Sequence, residues 1–98
     1  MDQHQQFKQE VAQNIRALGN KTVLKTQSFE WIKDSAADNY TYNFSWLGRP
    51  IIQVPQDIVA MQELIWEIKP DLIIETGIAH GGSIIFSASM LAQLDMCE

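Results

Sequence analysis

The residues best suited to chemistry lie close together between residues 71 and 83. They are an acid, three glycines and a serine: Glu75, Gly77, Gly81, Gly82 and Ser83. The apolar run Leu72–Ile74 lacks polar alternation, which is typical of a strand covered on both faces in a parallel sheet. Glycines allow a tight turn and close approach of backbone to a ligand, and Ser83 can cap a helix whose free amides attract anionic groups. The stretch therefore predicts a strand, a ligand-binding loop and a helix.

The glycine spacing distinguishes between known nucleotide-binding loops. A P-loop is excluded because no Gly-Lys-Ser or Gly-Lys-Thr sequence occurs. The dinucleotide pattern G-x-G-x-x-G matches imperfectly, since Ala79 stands at its second glycine. The form acid-x-Gly-x-x-x-Gly fits Glu75, Gly77 and Gly81, and it resembles the first motif of Rossmann-like S-adenosylmethionine methyltransferases. An ordinary strand-to-helix turn remains the alternative.

The elements around this loop follow from helix signals and apolar spacing. A helix is predicted over residues 57–68, with Asp57 as N-cap and Lys69-Pro70 as its end. A strand is predicted over residues 71–75 after a very short connection. The helix predicted over about residues 82–94 is apolar almost all round, which indicates burial on most sides.

The N-terminal region predicts helical structure with little chemistry. Residues 2–18 carry an apolar stripe at helical spacing, and Gly19-Asn20 forms a plausible stop; the stripe is Phe7, Val11, Ile15 and Leu18. We expect this helix to pack on its own domain, with pairing to another subunit as the alternative. Ser28 is interpreted as the cap of a short helix with inward-facing Phe29, Trp31 and Ile32, and residues 34–39 as a loop.

An aromatic row occupies residues 40–46, where aromatic and small polar residues alternate. Period two favours an extended segment with one face on apolar surface. Residues 51–54 follow a Gly48-Arg49-Pro50 turn as a short strand or an extended arm. We expect the aromatic side chains to pack in the core, and a substrate pocket lined by them is the other interpretation.

Composition narrows the class of protein. The chain has 98 residues, 46% hydrophobic and 19% charged, which is typical of one small globular domain. Its net charge of −5 without a basic cluster argues against nucleic acid or an anionic membrane as partner. A single cysteine, Cys97, excludes an internal disulfide, and a cytoplasmic location is the simplest fit. No signal-peptide core or membrane-spanning apolar run is present.

Three stretches of the chain resemble the cephalosporin hydroxylase family. They are residues 42–53 (YNFSWLGRPIIQ), 55–57 (PQD) and 69–83 (KPDLIIETGIAHGGS), within a similarity that covers about residues 40–94. The resemblance implies the fold of S-adenosylmethionine-dependent methyltransferases and a relation to sugar O-methyltransferases. It implies contacts to the methionine and ribose part of S-adenosylmethionine from Glu75, Gly77, Ala79, Gly81 and Ser83.

The resemblance also predicts which parts of the methyltransferase fold this chain does not contain. Family members are longer, so we expect the N-terminal part of an α/β, Rossmann-like methyltransferase fold with an incomplete sheet. A helical and extended region over residues 1–56 and the start of the cofactor-binding domain over residues 57–98 would form one incomplete domain. The acid that binds ribose is expected roughly 20 residues beyond the glycines, but no strand precedes Glu98, which is therefore not assigned this role. Ligands for the Mg²⁺ of some relatives, and residues for a small-molecule or sugar acceptor, are not expected in this chain.

The residues that could take part in a reaction are compatible with two hypotheses about function. His80 could touch substrate or cofactor, although a solvated loop histidine is the simpler interpretation. Non-haem iron oxygenase chemistry needs two histidines and a carboxylate, and neither His4 nor His80 begins a His-x-Asp or His-x-Glu pattern. The chain is then either part of a methyltransferase-like enzyme, inactive alone, or a non-catalytic α/β module that acts by association. A homo-oligomer fits both.

Overall fold

The computed structural model describes residues 2–97, except for the side chains of Met96 and Cys97. The elements are α1 (Gln3–Gly19), α2 (Thr22–Ser35), β1 (Phe44–Trp46), β2 (Arg49–Ile51), α3 (Pro55–Ile68) and α4 (Gly82–Cys97). Short 3-10 turns cover Ala36–Asp38 and Tyr40–Tyr42. The chain divides into two compact units, residues 1–38 and residues 39–98. The predicted regions, a helical and extended part over residues 1–56 and a cofactor-binding domain that starts at residue 57, stay predictions.

Helix α1 confirms the predicted N-terminal helix, and a reciprocal cap starts it. The Asp2 carboxylate accepts a hydrogen bond from the Gln5 backbone amide at 2.7 Å, while the Gln5 side chain accepts one from the Asp2 amide at 3.4 Å. The helix ends at Gly19 with Asn20 as C-cap, as predicted. Its apolar stripe does not pack within the unit: Phe7, Ile15 and Leu18 are all more than half exposed.

Helix α2 corrects the interpretation of residues 21–39. Ser28 does not cap a helix but lies inside one, where its hydroxyl donates to the Lys25 carbonyl at 2.8 Å. Phe29, Trp31 and Ile32 are exposed rather than inward-facing. The helix continues into the predicted loop as far as Ser35, because Asp34 and Ser35 are neither Gly nor Pro and cost a helix little. The alternative given for α1, that it pairs with another subunit, stays a prediction.

The second unit starts with a β-hairpin. Strands β1 and β2 pair antiparallel, with Phe44 opposite Ile51 and Trp46 opposite Arg49. The two-residue turn between them has Leu47 at φ +48° and Gly48 at φ +83°, and positive φ at both positions is the pattern of a type I′ turn that matches strand twist. The predicted extended row is therefore shorter than expected, since Tyr40–Tyr42 form a 3-10 turn instead. The strand expected at residues 51–54 is likewise shifted and ends at Ile51.

Helix α3 appears where it was predicted but with a different cap. It begins at Pro55 with Val54 as N-cap, so Asp57 lies in the first turn and is not the cap. A proline is favoured at the first helical position because its fixed φ suits the helix and its missing amide is not needed there. The helix ends at Ile68, as Lys69-Pro70 predicted, although Lys69 adopts a left-handed conformation with φ +51° rather than an extended one.

Helix α4 carries one side of a small core. The buried apolar residues of the described chain are Ile51, Ile65, Phe86 and Leu94. The Trp46 ring meets Phe86 edge to face at 4.8 Å, and its indole N–H donates to the Ser89 hydroxyl at 3.0 Å. The predicted burial of α4 on most sides is wrong, because Ile84 and Ile85 on its opposite face are exposed.

The predicted strand at residues 71–75 is not formed. These residues belong neither to a helix nor to a strand. The segment nevertheless alternates in burial: Ile73 packs against the core cluster, whereas Leu72 and Ile74 are exposed. A strand requires a partner for its ladder of hydrogen bonds, and the one other candidate, Ile51, pairs with Phe44 instead. The structure is thus a small α/β arrangement, mostly helical, with a two-stranded antiparallel sheet.

Candidate functional site

The glycine loop is a tight turn built on positive backbone angles. Gly77, Ala79 and Gly81 have φ values of +85°, +44° and +90°, which disfavour residues other than glycine because Cβ meets the backbone. The Gly81 amide donates to the Ile78 carbonyl at 2.7 Å and closes the turn. His80 lies exposed at the tip of this turn. The turn therefore joins the extended segment that ends near residue 76 to the start of α4 at Gly82.

Glu75 is the polar centre of the site. Its Oε1 accepts hydrogen bonds from the hydroxyls of Ser83 at 2.8 Å and Ser87 at 2.9 Å. Its Oε2 is buried and has no hydrogen-bond partner. Ser83 is thus not the helix cap that the sequence predicts, because α4 already begins at Gly82. Ser87 was missed, although its spacing of four from Ser83 puts both hydroxyls on one helix face.

A cavity of about 160 Å³ opens beside the glycine loop. One wall is the loop and the start of α4, formed by Gly77, Ile78, Ala79, Gly82 and Ser83. The other wall is formed by residues 50–53, which are the end of β2 and the two residues after it. Three of the predicted cofactor-binding residues, Gly77, Ala79 and Ser83, are therefore brought together. The wall from residues 50–53 was not predicted as part of a site, because its sequence shows only a turn followed by apolar residues.

A larger apolar cavity of about 370 Å³ adjoins the same residues. Helices α3 and α4 and the unpaired segment 70–75 enclose it, with Met61, Leu64, Ile65, Ile68, Ile73 and Phe86 in its lining. Glu75, Ser83, Ser87 and Gln53 supply its polar atoms. Glu75 thus borders this cavity rather than the one beside the loop. Gln53 and Ser83 border both cavities and form their common wall.

Gly82 allows the two walls of the smaller cavity to come into close contact, because it has no side chain. A Cβ atom on Gly82 would stand 2.2 Å from the Pro50 carbonyl oxygen and 2.8 Å from the Ile51 Cβ. Only a glycine permits this approach, so the close contact expected between loop backbone and ligand is, at Gly82, a contact within the protein. At Gly81 the corresponding Cβ position faces the Arg49 guanidinium, whose nearest nitrogens are 3.7 Å away. Gly77 is different, since nothing lies within 4 Å of its Cβ position.

The chemistry available at these cavities is limited. Glu75 is the sole ionisable residue in their lining. Among residues 2–97 no three His, Cys, Asp or Glu side chains come together in a way that could hold a metal ion. Glu98 lies outside the described residues. Over the same part of the chain, no helix is both long and apolar enough to cross a membrane. The polar groups at the two cavities are therefore one acid, two serine hydroxyls, the Gln53 side chain and the backbone of the glycine loop.

Comparison with known proteins places the chain in a family. The model of one family, described as Rhamnosyl O-methyltransferase/CmcI, matches residues 38–97. Because this match covers more than half of the chain, the protein belongs to that family. The family resemblance drawn from residues 40–94 is thereby confirmed.

One curated relative is a Rhamnosyl O-methyltransferase of Mycobacterium leprae (strain TN). It is 32% identical over 57 residues, which amount to 57% of this chain and 25% of the relative. The chain thus spans about a quarter of the length of the curated relative it matches. No solved structure matches the chain.

Proposed function

We propose that residues 39–97 form part of the cofactor-binding region of an S-adenosylmethionine-dependent O-methyltransferase that acts on a small molecule or a sugar. The observation that carries this proposal is the loop from Glu75 to Ser83, with its three positive φ angles. In a chain of the O-methyltransferase family, such a loop beside a cavity is suited to a ligand that approaches backbone closely. A Rossmann-like fold of the complete domain is part of the same proposal.

The residues present fit this cofactor. Oε2 of Glu75 and Oε1 of Gln53 are buried acceptors without partners, and the amino-acid and ribose parts of S-adenosylmethionine carry donors. The open space at Gly77 leaves room for a ligand against the loop backbone. The first amides of α4 lack helical partners and can donate to its carboxylate. When bound, S-adenosylmethionine supplies an electrophilic methyl group on its sulfonium.

The roles of the predicted residues follow from their positions. Gly77 and Ala79 would present loop backbone to the cofactor, and Gly81 would bring the chain into α4. Ser83 would orient Glu75 through its hydrogen bond. The Mg²⁺ that the resemblance implies for some family members has no ligand set among the described residues.

A titration of the isotopically labelled chain with S-adenosylmethionine tests the proposal. We expect the amide signals of Gly77, Gly81 and Ser83 to shift in nuclear magnetic resonance spectra, with a dissociation constant on the order of 1 mM or below. ATP serves as control, because it has the same adenosine but a triphosphate in place of the amino acid. Spectra unchanged by S-adenosylmethionine at about 5 mM would contradict the proposal.

A second candidate function is association without catalysis. It is favoured by the exposed apolar stripe of α1, where Phe7 and Ile15 are more than 60% exposed. Amphipathic helices with such a face commonly pair with another helix. In that case the chain would associate through residues 1–38, and S-adenosylmethionine would leave its spectra unchanged.

A further inference from the structure

We infer that Gln53 is a binding residue for the ammonium group of S-adenosylmethionine, acting together with Glu75. The inference rests on the proposed function, and it adds a residue outside the glycine loop. Gln53 follows the hairpin, 22 positions before Glu75 in the sequence. It ends the stretch 42–53 that resembles the cephalosporin hydroxylase family, but the resemblance assigned no binding role to it.

The first observation is a pair of buried acceptors that lack donors. Oε1 of Gln53 and Oε2 of Glu75 are the two buried side-chain polar atoms without a hydrogen bond among the described residues. A buried acceptor left unpaired destabilises a protein, because it has given up its hydrogen bonds to water without replacement. Two such atoms on residues that line one cavity therefore indicate that a donor from outside the chain belongs there.

The second observation is where the two residues stand. Gln53 lines both the cavity at the glycine loop and the larger apolar cavity, and Glu75 lines the latter. The Ser83 and Ser87 hydroxyls donate hydrogen bonds to Oε1 of Glu75 and hold this carboxylate against α4. Oε2 is then the oxygen left for a ligand. A cofactor held against Gly77 and Ala79 would reach this common wall with its amino-acid end.

Charge selects the ammonium among the donors of the cofactor. Glu75 is a carboxylate, and no Lys or Arg of the described residues forms an ion pair with it. A cationic donor gives a charge-assisted hydrogen bond, which is about twice as strong as a neutral one. An ammonium has three N–H bonds, enough for both oxygens, whereas the ribose hydroxyls and the adenine amine are neutral.

The test compares two ligands that differ by the ammonium alone. They are S-adenosylhomocysteine and its deaminated analogue, in which hydrogen replaces the ammonium group. The variants are Gln53→Met, which keeps the length but removes the acceptor, and Gln53→Glu, which keeps an acceptor and adds charge. Affinities are read from the Gly77 amide shift. The unsubstituted chain should favour S-adenosylhomocysteine; Gln53→Met should reduce that preference about tenfold, and Gln53→Glu should keep or increase it.

The other outcomes separate the two levels of the inference. If Gln53→Met weakens both ligands equally, Gln53 serves the fold or holds a water molecule, and its assignment is overturned. If Gln53→Met does not fold, a preference lowered by Gln53→Glu overturns it in the same way. If the unsubstituted chain binds neither S-adenosylmethionine nor S-adenosylhomocysteine, the proposed function is wrong, and the inference about Gln53, which rests on it, is wrong too.

Discussion

At the scale of single residues, the candidate site depends on conformations that few side chains tolerate. Gly77 and Gly48 are a matched pair: both have φ near +84°, at +85° and +83°, and neither has an atom within 4 Å of its Cβ position. They differ in place, since Gly77 lines the cavity at the glycine loop and Gly48 lies in the hairpin turn. Backbone strain and ligand contact can therefore be separated by experiment.

We predict that Gly77→Val abolishes the binding of S-adenosylmethionine, while Gly48→Val leaves it intact. Each substitution should cost about 1–2 kcal/mol of stability, because a β-branched residue is strained at positive φ. Only the valine at position 77 would also fill the space where loop backbone meets ligand. Titration followed by nuclear magnetic resonance measures binding, and urea unfolding measures stability. Equal affinities in the two variants would show that the loop does not hold the cofactor.

At the scale of elements, the site is held by the contact between the hairpin and the start of α4. Gly82 lies against Pro50 and Ile51, while Trp46 packs on Phe86 and bonds Ser89 further along the helix. These contacts place the wall of residues 50–53 opposite the loop. The helix, the hairpin and the glycine turn therefore act as one unit.

We predict that Gly82→Ala destabilises the second unit by about 1–3 kcal/mol, since the added methyl group must displace backbone rather than a flexible side chain. Hydrogen exchange of the α4 amides reports this loss. Gly19→Ala is the control, because Gly19 ends α1 with nothing within 4 Å of its Cβ position. Alanine favours helix over glycine, so α1 should exchange no faster in that variant. Protected α4 amides in Gly82→Ala would contradict the close contact.

At the scale of the whole molecule, the chain exposes surface that other chains can cover. The segment 72–75 makes no backbone hydrogen bond to another segment in the described part of the chain, and Leu72 and Ile74 are 71% and 80% exposed. An extended apolar segment with free edges recruits other strands. The core has four buried apolar residues in the described part of the chain, so little stability is available to offset that exposure.

We predict that the 98-residue chain associates in solution through residues 72–75. Ile74→Lys should shift the population toward monomer in analytical ultracentrifugation, because charge on an open edge opposes strand pairing. Leu47→Lys is the matched control: Leu47 is 76% exposed, close to the 80% of Ile74, but it lies in the hairpin turn. Equal monomer fractions in the two variants would rule out this edge as the contact.

The same chain should transfer no methyl group to a sugar or small-molecule acceptor. Among the described residues, Glu75 is the sole ionisable residue lining the two cavities; its Oε1 is bonded to two serines, and its Oε2 is buried and is assigned to the ammonium of the cofactor. No further group there can take a proton from an acceptor hydroxyl. A radiolabelled methyl-transfer assay measures this, and turnover by a dilute monomer would show the prediction to be wrong.

The sequence by itself determined the features that depend on neighbours along the chain. The capping pair Asp2 and Gln5, the stop at Lys69-Pro70 and the glycine turn each act within a few residues. Helices α1, α3 and α4 are accordingly found near their predicted positions. The resemblance of residues 42–53, 55–57 and 69–83 to known sequences also indicated the family, which the comparison confirmed.

Tertiary structure decided the features that join distant residues. An apolar run such as Leu72–Ile74 becomes a strand only when a partner supplies hydrogen bonds, and the available strand pairs elsewhere. Ser83 was expected as a helix cap but donates a hydrogen bond to Glu75. The fold places this acid against the face of α4 that carries Ser83 and Ser87. Gln53 lies at the candidate site because the hairpin packs against Gly82. Packing between segments far apart in sequence sets these contacts, and no local pattern of residue types encodes it.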